Sequence, residues 1–564
     1  MTTETITLEE IIRSRPDVLS VPSPFEPARS TTPTSHPKTH PSALSSNDPP
    51  EAADSTEAEA VYPTGANFWL PILSIALMLI VGGLDNNIVA TAVPALTDHF
   101  HTVADIGWYS AAFRLTLCTF QFLFGKLYKI FSVKKVFMVV VCIFILGSVI
   151  CATAVTSNMF VLGRTVTGLA EAGVVAGCFT VLVQLLPLRR RPLYGSVLAA
   201  IEASAELSAP ILGGILTQTL GWRWCFWINL PLSGVVLLIT AVFFHDPQPS
   251  SAAQLTLKAK LGQLDLLGNM VFIPGLTSLF LALSWAGSRY PWKSPTIIAL
   301  FFVSVFLLAV FAYLQHRKGD AATLPPRIVK QRSVLAGLLF SGCVNSHLNV
   351  LLYYMPTYFQ AVRGFTPAKS GYMVLPMVLG QLVGFLGLGI GTSTFGYYVP
   401  FMLAGSVLMP VASGLMTTWD ISTSYAKLIL YQALAGFGGG IGFQGPQSAV
   451  QTILPTSDAP LGLAIVLFAQ HFAPAVTVVI AQTIFTNQLT ASLEDLGGGF
   501  DASKVEHLGL SDLKDLFGGT RLAEVLAAFD ISVVRTWDLV VALGCVSMAG
   551  SLAMEWKSVK VKRS

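Results

Sequence analysis

Apolar runs of about 20 residues recur along most of the chain, and each is long enough to cross a bilayer as an α-helix. Fourteen runs are read, near 68–93, 106–127, 134–154, 158–184, 193–218, 226–245, 265–286, 294–315, 334–359, 370–391, 398–418, 425–453, 460–488 and 537–556. Gly and Pro interrupt runs nine to thirteen, so the pattern bounds those elements less sharply. The order echoes itself weakly. Pro94 ends the first run before Gly107-Trp108 opens the second, and Pro356 and Gly371 repeat that plan at runs nine and ten. Parallel six-helix repeats would make two halves of runs one to six and nine to fourteen, with seven and eight inserted between them. The expected divisions are a tail at 1–66, a bundle at 67–246, two inserted helices and linkers at 247–333, a bundle at 334–556, and a tail at 557–564. Within the polar loop 489–535, Leu510–Phe517 and Leu522–Phe529 are each read as a short amphipathic helix at the interface, in a passive loop or a lid.

Composition agrees with an all-α membrane protein. The chain is 53% hydrophobic and 12% charged, against roughly 25% charged residues in a soluble domain. A net charge of +3 offers no electrostatic footprint for nucleic acid. Seven cysteines fall in or beside apolar runs without metal spacing, which reads as membrane packing. The first 60 residues are rich in Ser, Thr, Pro and Glu and lack an apolar core after a basic start. No signal peptide is expected there, and the stretch reads as a disordered tail. Eighteen Lys and Arg fall in loops or at run ends on one side of the fourteen runs and ten on the other, four of those in 489–535. The positive-inside rule then puts both termini in the cytoplasm.

Charges inside spans are the sharpest chemical signal, because each costs about 2.5–3.5 kcal/mol at a helix centre. Asp85, Arg114, Arg164, Glu171, Glu202 and Glu206 lie within runs. Arginine keeps its proton, so the carboxylate surplus must bind protons or meet a cation. Glu202 and Glu206, four residues apart, share one helical face. Asp85 and Arg164 are read as a coupling pair, with Glu171, Glu202 and Glu206 holding protons or a cationic substrate; static ion pairs that fix packing are the alternative. Asn345, Asn349 and Tyr353, and likewise Gln444, Gln447 and Gln451, recur at helical spacing and are read as cavity lining with Arg114, Trp108 and Phe359. Interhelical hydrogen bonding is their rival role. His347 and His471 read as structural. The glycines from Gly436 to Gly445 before Pro446, and Pro210 with Gly213 and Gly214, suit either tight packing or bending.

Several ordered motifs carry a family likeness. Leu84-Asp85-Asn86-Asn87-Ile88-Val89-Ala90-Thr91-Ala92-Val93-Pro94 resembles the first-helix motif of the fourteen-spanner drug:proton antiporters of the major facilitator superfamily. Gly125-Lys126-Leu127-Tyr128-Lys129, running on to Lys134-Lys135, resembles the superfamily loop between helices two and three. Gly163-Arg164 with Gly168 is similar to the helix-four motif, and Ala209-Pro210-Ile211-Leu212-Gly213-Gly214 to the antiporter motif of helix five. The stretch from Gly221 to Pro231 and Tyr353-Tyr354-Met355-Pro356 look especially like fungal toxin exporters. Lys129 stands where many superfamily members carry an acid, and Ala209 replaces a glycine. The resemblance implies a major facilitator fold exporting drugs or secondary metabolites against protons, with Gly125, Lys134, Pro210, Gly213 and Gly214 serving conformational change. No P-loop, metal-ligand cluster or G-x-S-x-G elbow is present in the sequence. The expectation is a monomeric plasma-membrane transporter without cofactor or metal; a vacuolar membrane is the alternative. Uptake of iron chelates or basic amino acids, and a non-transporting receptor or scaffold, are the rival functions.

Overall fold

The computed structural model describes residues 62–102, 105–246, 256, 260, 262–287, 289–495 and 520–560. Nearly all of the tail 1–66, the segment Leu510–Phe517, Lys258, Lys562 and Arg563 lie outside these residues. The first half holds α1 (Ala66–Phe100), α2 (Ile106–Ile130), α3 (Val133–Ala152), α4 (Ser157–Leu185), α5 (Arg191–Thr219) and α6 (Asn229–Phe243). A hairpin follows, α7 (Leu266–Trp285) and α8 (Pro295–Lys318). The second half holds α9 (Arg332–Thr357), α10 (Leu375–Phe395), α11 (Val399–Met416), α12 (Tyr425–Gly442), α13 (Gly445–Ile453), α14 (Ala459–Asp495) and α15 (Thr520–Ala553).

Local sequence sets several of these boundaries. Ser132, Thr156 and Ser294 each accept a hydrogen bond from a first-turn N–H of α3, α4 and α8, satisfying donors the helix leaves free. Gly396 ends α10 in the left-handed region at φ 93°, where a side chain would be strained. Twelve helices among the described residues are long and apolar enough to cross a membrane. The two other expected runs are α2, diluted by Arg114 and Gln121, and the glycine-rich α12, which breaks before α13. That break divides the expected run 425–453. Helices α14 and α15 also run well into the expected loop 489–535, so Leu522–Phe529 belongs to α15 and is not a separate surface helix.

The two halves pack by the same rule. In the first, α1 meets α5 and α6, α4 meets α2 and α3, and α3 meets α6. In the second, α9 meets α14 and α15, α12 meets α10 and α11, and α11 meets α15. The seams between halves are reciprocal: α5 lies on α10 and α2 on α14. The α7–α8 hairpin touches α2 and α14 at the periphery. Phe302 and Val305 of α8 are 72% and 67% exposed, a liability in water that lipid removes.

Both described chain ends lie at one end of the bundle, here the basal end. There Phe68 and Trp69 pack on Tyr194 of α5, Arg332 donates to the Ala553 carbonyl, and Gly125 packs on Ala464.

Candidate functional site

A cavity of about 390 Å³ lies between the halves, within the range of small-molecule sites. Its lining spans Ala199 to Pro210 on α5, roughly 12–29 Å above the basal start of that helix at 1.5 Å per residue. The first half brings Asn86, Arg114, Glu202 and Glu206 to its wall, and the second brings Asn345, Asn349, Gln381, Gln444, Gln470 and His471. Phe179, Phe385 and Phe443 supply aromatic surface. Asn86 Nδ2 donates to Glu206 Oε1 at 3.1 Å, and Asn87 Nδ2 to the Glu206 carbonyl at 3.3 Å. This contact is possible because Gly83 of α1 lies against α5: a Cβ there would come within 3.0 Å of the Glu202 carbonyl oxygen.

Beneath the cavity the halves are fastened together. Asp458, just before α14, receives Lys129 Nζ at 2.6 Å and Arg327 Nη1 at 2.6 Å. Burial raises the pKa of the Asp458 carboxyl, but hydrogen bonds from Arg327 and Lys129 outweigh it and hold the group below its ordinary range. The buried Lys126 ammonium donates to the carbonyls of Ala321 and Ala322, in the strap that leaves α8. The same strap is anchored by Asp265, which caps α7 and accepts from Gly268, Gln315, Lys318 and Thr323. On the other seam Gly389 packs against Ser196, and Arg189 donates to the Ser393 carbonyl.

Asp85 and Arg164 meet as expected, but not in the cavity. Arg164 Nη1 donates to Asp85 Oδ2 at 2.5 Å, and both side chains are fully buried. Asn229 Nδ2 donates to Asp85 Oδ1 at 2.9 Å, Arg164 Nε donates to the Tyr109 carbonyl at 3.1 Å, and the guanidinium lies 4.4 Å from the Phe113 ring centroid. Glu171 is also off the cavity wall. Its carboxyl fills the space left by the missing side chain of Gly82, and Oε2 has no hydrogen-bond partner among the described residues.

The polar faces split likewise. Asn345 and Asn349 line the cavity, whereas Tyr353 is 56% exposed outside it. Eight residues advance a helix by about 80° beyond two full turns, so the third member of an i, i+4, i+8 series drifts off the face. Gln444 is lining; Gln447 and Gln451 are buried below it, towards the basal closure. Trp108 packs edge-on to Trp285 of the hairpin and Phe359 stacks on Phe365, so neither forms the cavity's aromatic wall. Pro210 is lining, Gly213 abuts Ile88 and Thr91 of α1, and a Cβ on Gly214 would meet nothing within 4 Å. The Lys134 ammonium donates to the Ala241 carbonyl at 2.6 Å, tying α3 to α6. His347 bridges the Val540 carbonyl and Ser413 Oγ, a structural place. Gln381, Gln470 and Asp458 went unread in the sequence. Gln470-His471 inside an apolar run was the available signal.

The sequence pattern of the Major Facilitator Superfamily matches residues 75–478. The chain belongs to this superfamily. As a facilitator it is an integral membrane transporter of small molecules. It is 38% identical over 502 residues to the MFS-type efflux pump MFS1 of Arthroderma benhamiae, covering 89% of this chain and 94% of that protein. It is 36% identical to the efflux pump roqT of Penicillium rubens (92% and 96% covered) and 34% to the efflux pump aflT of Aspergillus parasiticus (91% and 99%). The facilitator fold is shared with the human organic anion transporter MFSD10, at TM-score 0.53 and 14% identity, covering 84% of this chain and 99% of that one. It is shared also with the proton:xylose symporter XylE, at TM-score 0.55, 15% identity and coverage of 86% and 95%.

Proposed function

We propose that this protein is a proton-coupled exporter of small organic molecules, working as a monomer in the plasma membrane with both termini in the cytoplasm. The observation that carries the reading is a pair of carboxyl groups, Glu202 and Glu206, on the wall of a cavity at the seam of two halves fastened at the basal end. In the orientation that puts the basal Lys and Arg in the cytoplasm, this state faces outward. Protons reach the two glutamates from outside, and rocking of the halves over the cavity carries them inward as cargo leaves. Each pH unit supplies about 1.4 kcal/mol, and each 100 mV about 2.3 kcal/mol per charge, enough to drive export without ATP. The Asp85–Arg164 pair holds α1 to α4 during that motion, and Glu171 lies within electrostatic reach of Glu202, Asp85 and Glu206 as a relay. Gly125, Lys134, Pro210, Gly213 and Gly214 serve the rocking surfaces. Three relatives named as efflux pumps support the direction. Sealed inside-out vesicles carrying the full chain should accumulate cargo when their lumen is acidified and stop when a protonophore is added. Cargo movement indifferent to the gradient would overturn the coupling.

A further inference from the structure

The two walls of the cavity differ in charge, although the first half also brings the carboxamides of Asn86 and Asn87, both of which donate to Glu206. Every Asp, Glu, Lys and Arg on its lining comes from the first half: Arg114, Glu202 and Glu206. The second half contributes five carboxamides, Asn345, Asn349, Gln381, Gln444 and Gln470, with His471 beside them. Gln470 is 7% exposed, lines the cavity, and its Nε2 has no hydrogen-bond partner among the described residues. The row continues out of the cavity. From Gln444, at the floor beside Gly195 of α5, the short α13 descends to Gln447 and Gln451. Gln447 is 1% exposed with neither amide atom partnered, and Gln451 Oε1 is unpartnered too.

Resting on the transport reading above, we infer that the second half grips cargo through this carboxamide track, and that the cargo is an uncharged organic framework bearing several carbonyl or hydroxyl groups. A carboxamide donates two hydrogens and accepts at its oxygen, so it pairs with ketones, esters and hydroxyls alike and asks for no charge. Buried amides reject a ligand that covers them without bonding, because their polar atoms then stay unmet. A lipophilic cation would do that to Gln444 and Gln470, which are 3% and 7% exposed. The aromatic surfaces take the ring system. Gln447 and Gln451, sealed in this state, receive the same groups when the basal end parts, so cargo passes along the track without losing hydrogen bonds. The division leaves the charged first half to handle protons.

The test uses the full chain in proteoliposomes with an imposed pH gradient. Its probes are tritiated dexamethasone and griseofulvin as neutral oxygen-rich solutes, tetraphenylphosphonium as a cation, and fluorescein as an anion. Wild type should move the neutral pair in preference to the ions. Gln444→Leu and Gln470→Leu should each raise KM for dexamethasone roughly ten-fold, the scale of one lost hydrogen bond in a buried site. Gln447→Leu should lower kcat and leave KM near its original value. Gln470→Glu, which adds charge to the track, should shift preference towards tetraphenylphosphonium, and this gain is not produced by a protein that merely misfolds. Wild type that moves ions but neither neutral probe, or Leu variants with unchanged dexamethasone kinetics, would overturn the carboxamide track and leave the transport reading standing. Wild type that moves no probe of any charge would overturn the transport reading itself.

Discussion

Asp85 and Glu206 are both acids inside the first bundle, and they are treated in opposite ways. Asp85 is fully buried and held by Arg164 and Asn229, with α3 joining through Ser148 on the same Asn229 amide. Glu206 is half-buried on the cavity wall, and the Asn86 amide donates to its carboxyl. A charge enclosed by matched partners is fixed in place, since removing any partner leaves it stranded. A carboxyl with sparse partners beside a cavity can exchange its proton. Adjacent residues of α1 serve the two arrangements, Asp85 inward and Asn86 toward the cavity.

The contrast breaks most visibly at Arg164. Arg164→Ala should cost about 3–5 kcal/mol by stranding a buried carboxylate, seen as lost monodisperse protein or a large fall in Tm. The double variant Arg164→Gln with Asp85→Asn should recover part of it; no recovery would mean the charge pairing is not the source of the loss. Next, Glu202→Gln with Glu206→Gln should leave Tm nearly unchanged while gradient-driven flux falls to background, and retained flux would remove both from the coupling. Asn229→Ala and Asn86→Ala sharpen the comparison because each removes one amide donor to a carboxylate. The first should cost about 1.5–3 kcal/mol as a bond to a buried charge, and the second less, since water reaches Glu206; equal losses in thermal unfolding would erase the distinction. Asp458→Asn should be smallest in stability, about 0–1 kcal/mol, because its partners Lys129 and Arg327 are 24% and 48% exposed. As that carboxyl is held below its ordinary range, its pairing is present above the unfolded value of about 3.9 and is lost only as pH falls through the lower folded value. The Tm difference between wild type and Asp458→Asn should therefore stay constant from about pH 5 to 8, and a change within that window would refute the assignment.

The helical membrane architecture was legible because apolar run length and bilayer thickness impose it directly. The Asp85–Arg164 pair was legible for a related reason: two opposite charges in lipid-spanning helices of similar depth must find each other. Which charges open on the cavity was not legible. Spacing along a helix fixes a face but not the neighbour that face meets, so Asp85 and Glu202 read alike. Tyr353 and Phe359 failed as lining for the same reason, and Gln470 was passed over because a single amide carries no periodicity. Asp458 sits in a loop, and its role depends on two cations 131 and 329 residues away in sequence.

The strap leaving α8 has a bearing on how such a chain can be trimmed. Lys126 is a buried ammonium whose acceptors, the carbonyls of Ala321 and Ala322, come from that strap, and Arg327 is one of two cations on Asp458. Excising the hairpin together with its strap through Arg327, to leave a leaner twelve-helix chain, would orphan a lysine in the interior and halve the counter-charge at the seam. The extra pair of helices is thus stitched into the floor of the transporter and is not a removable appendage.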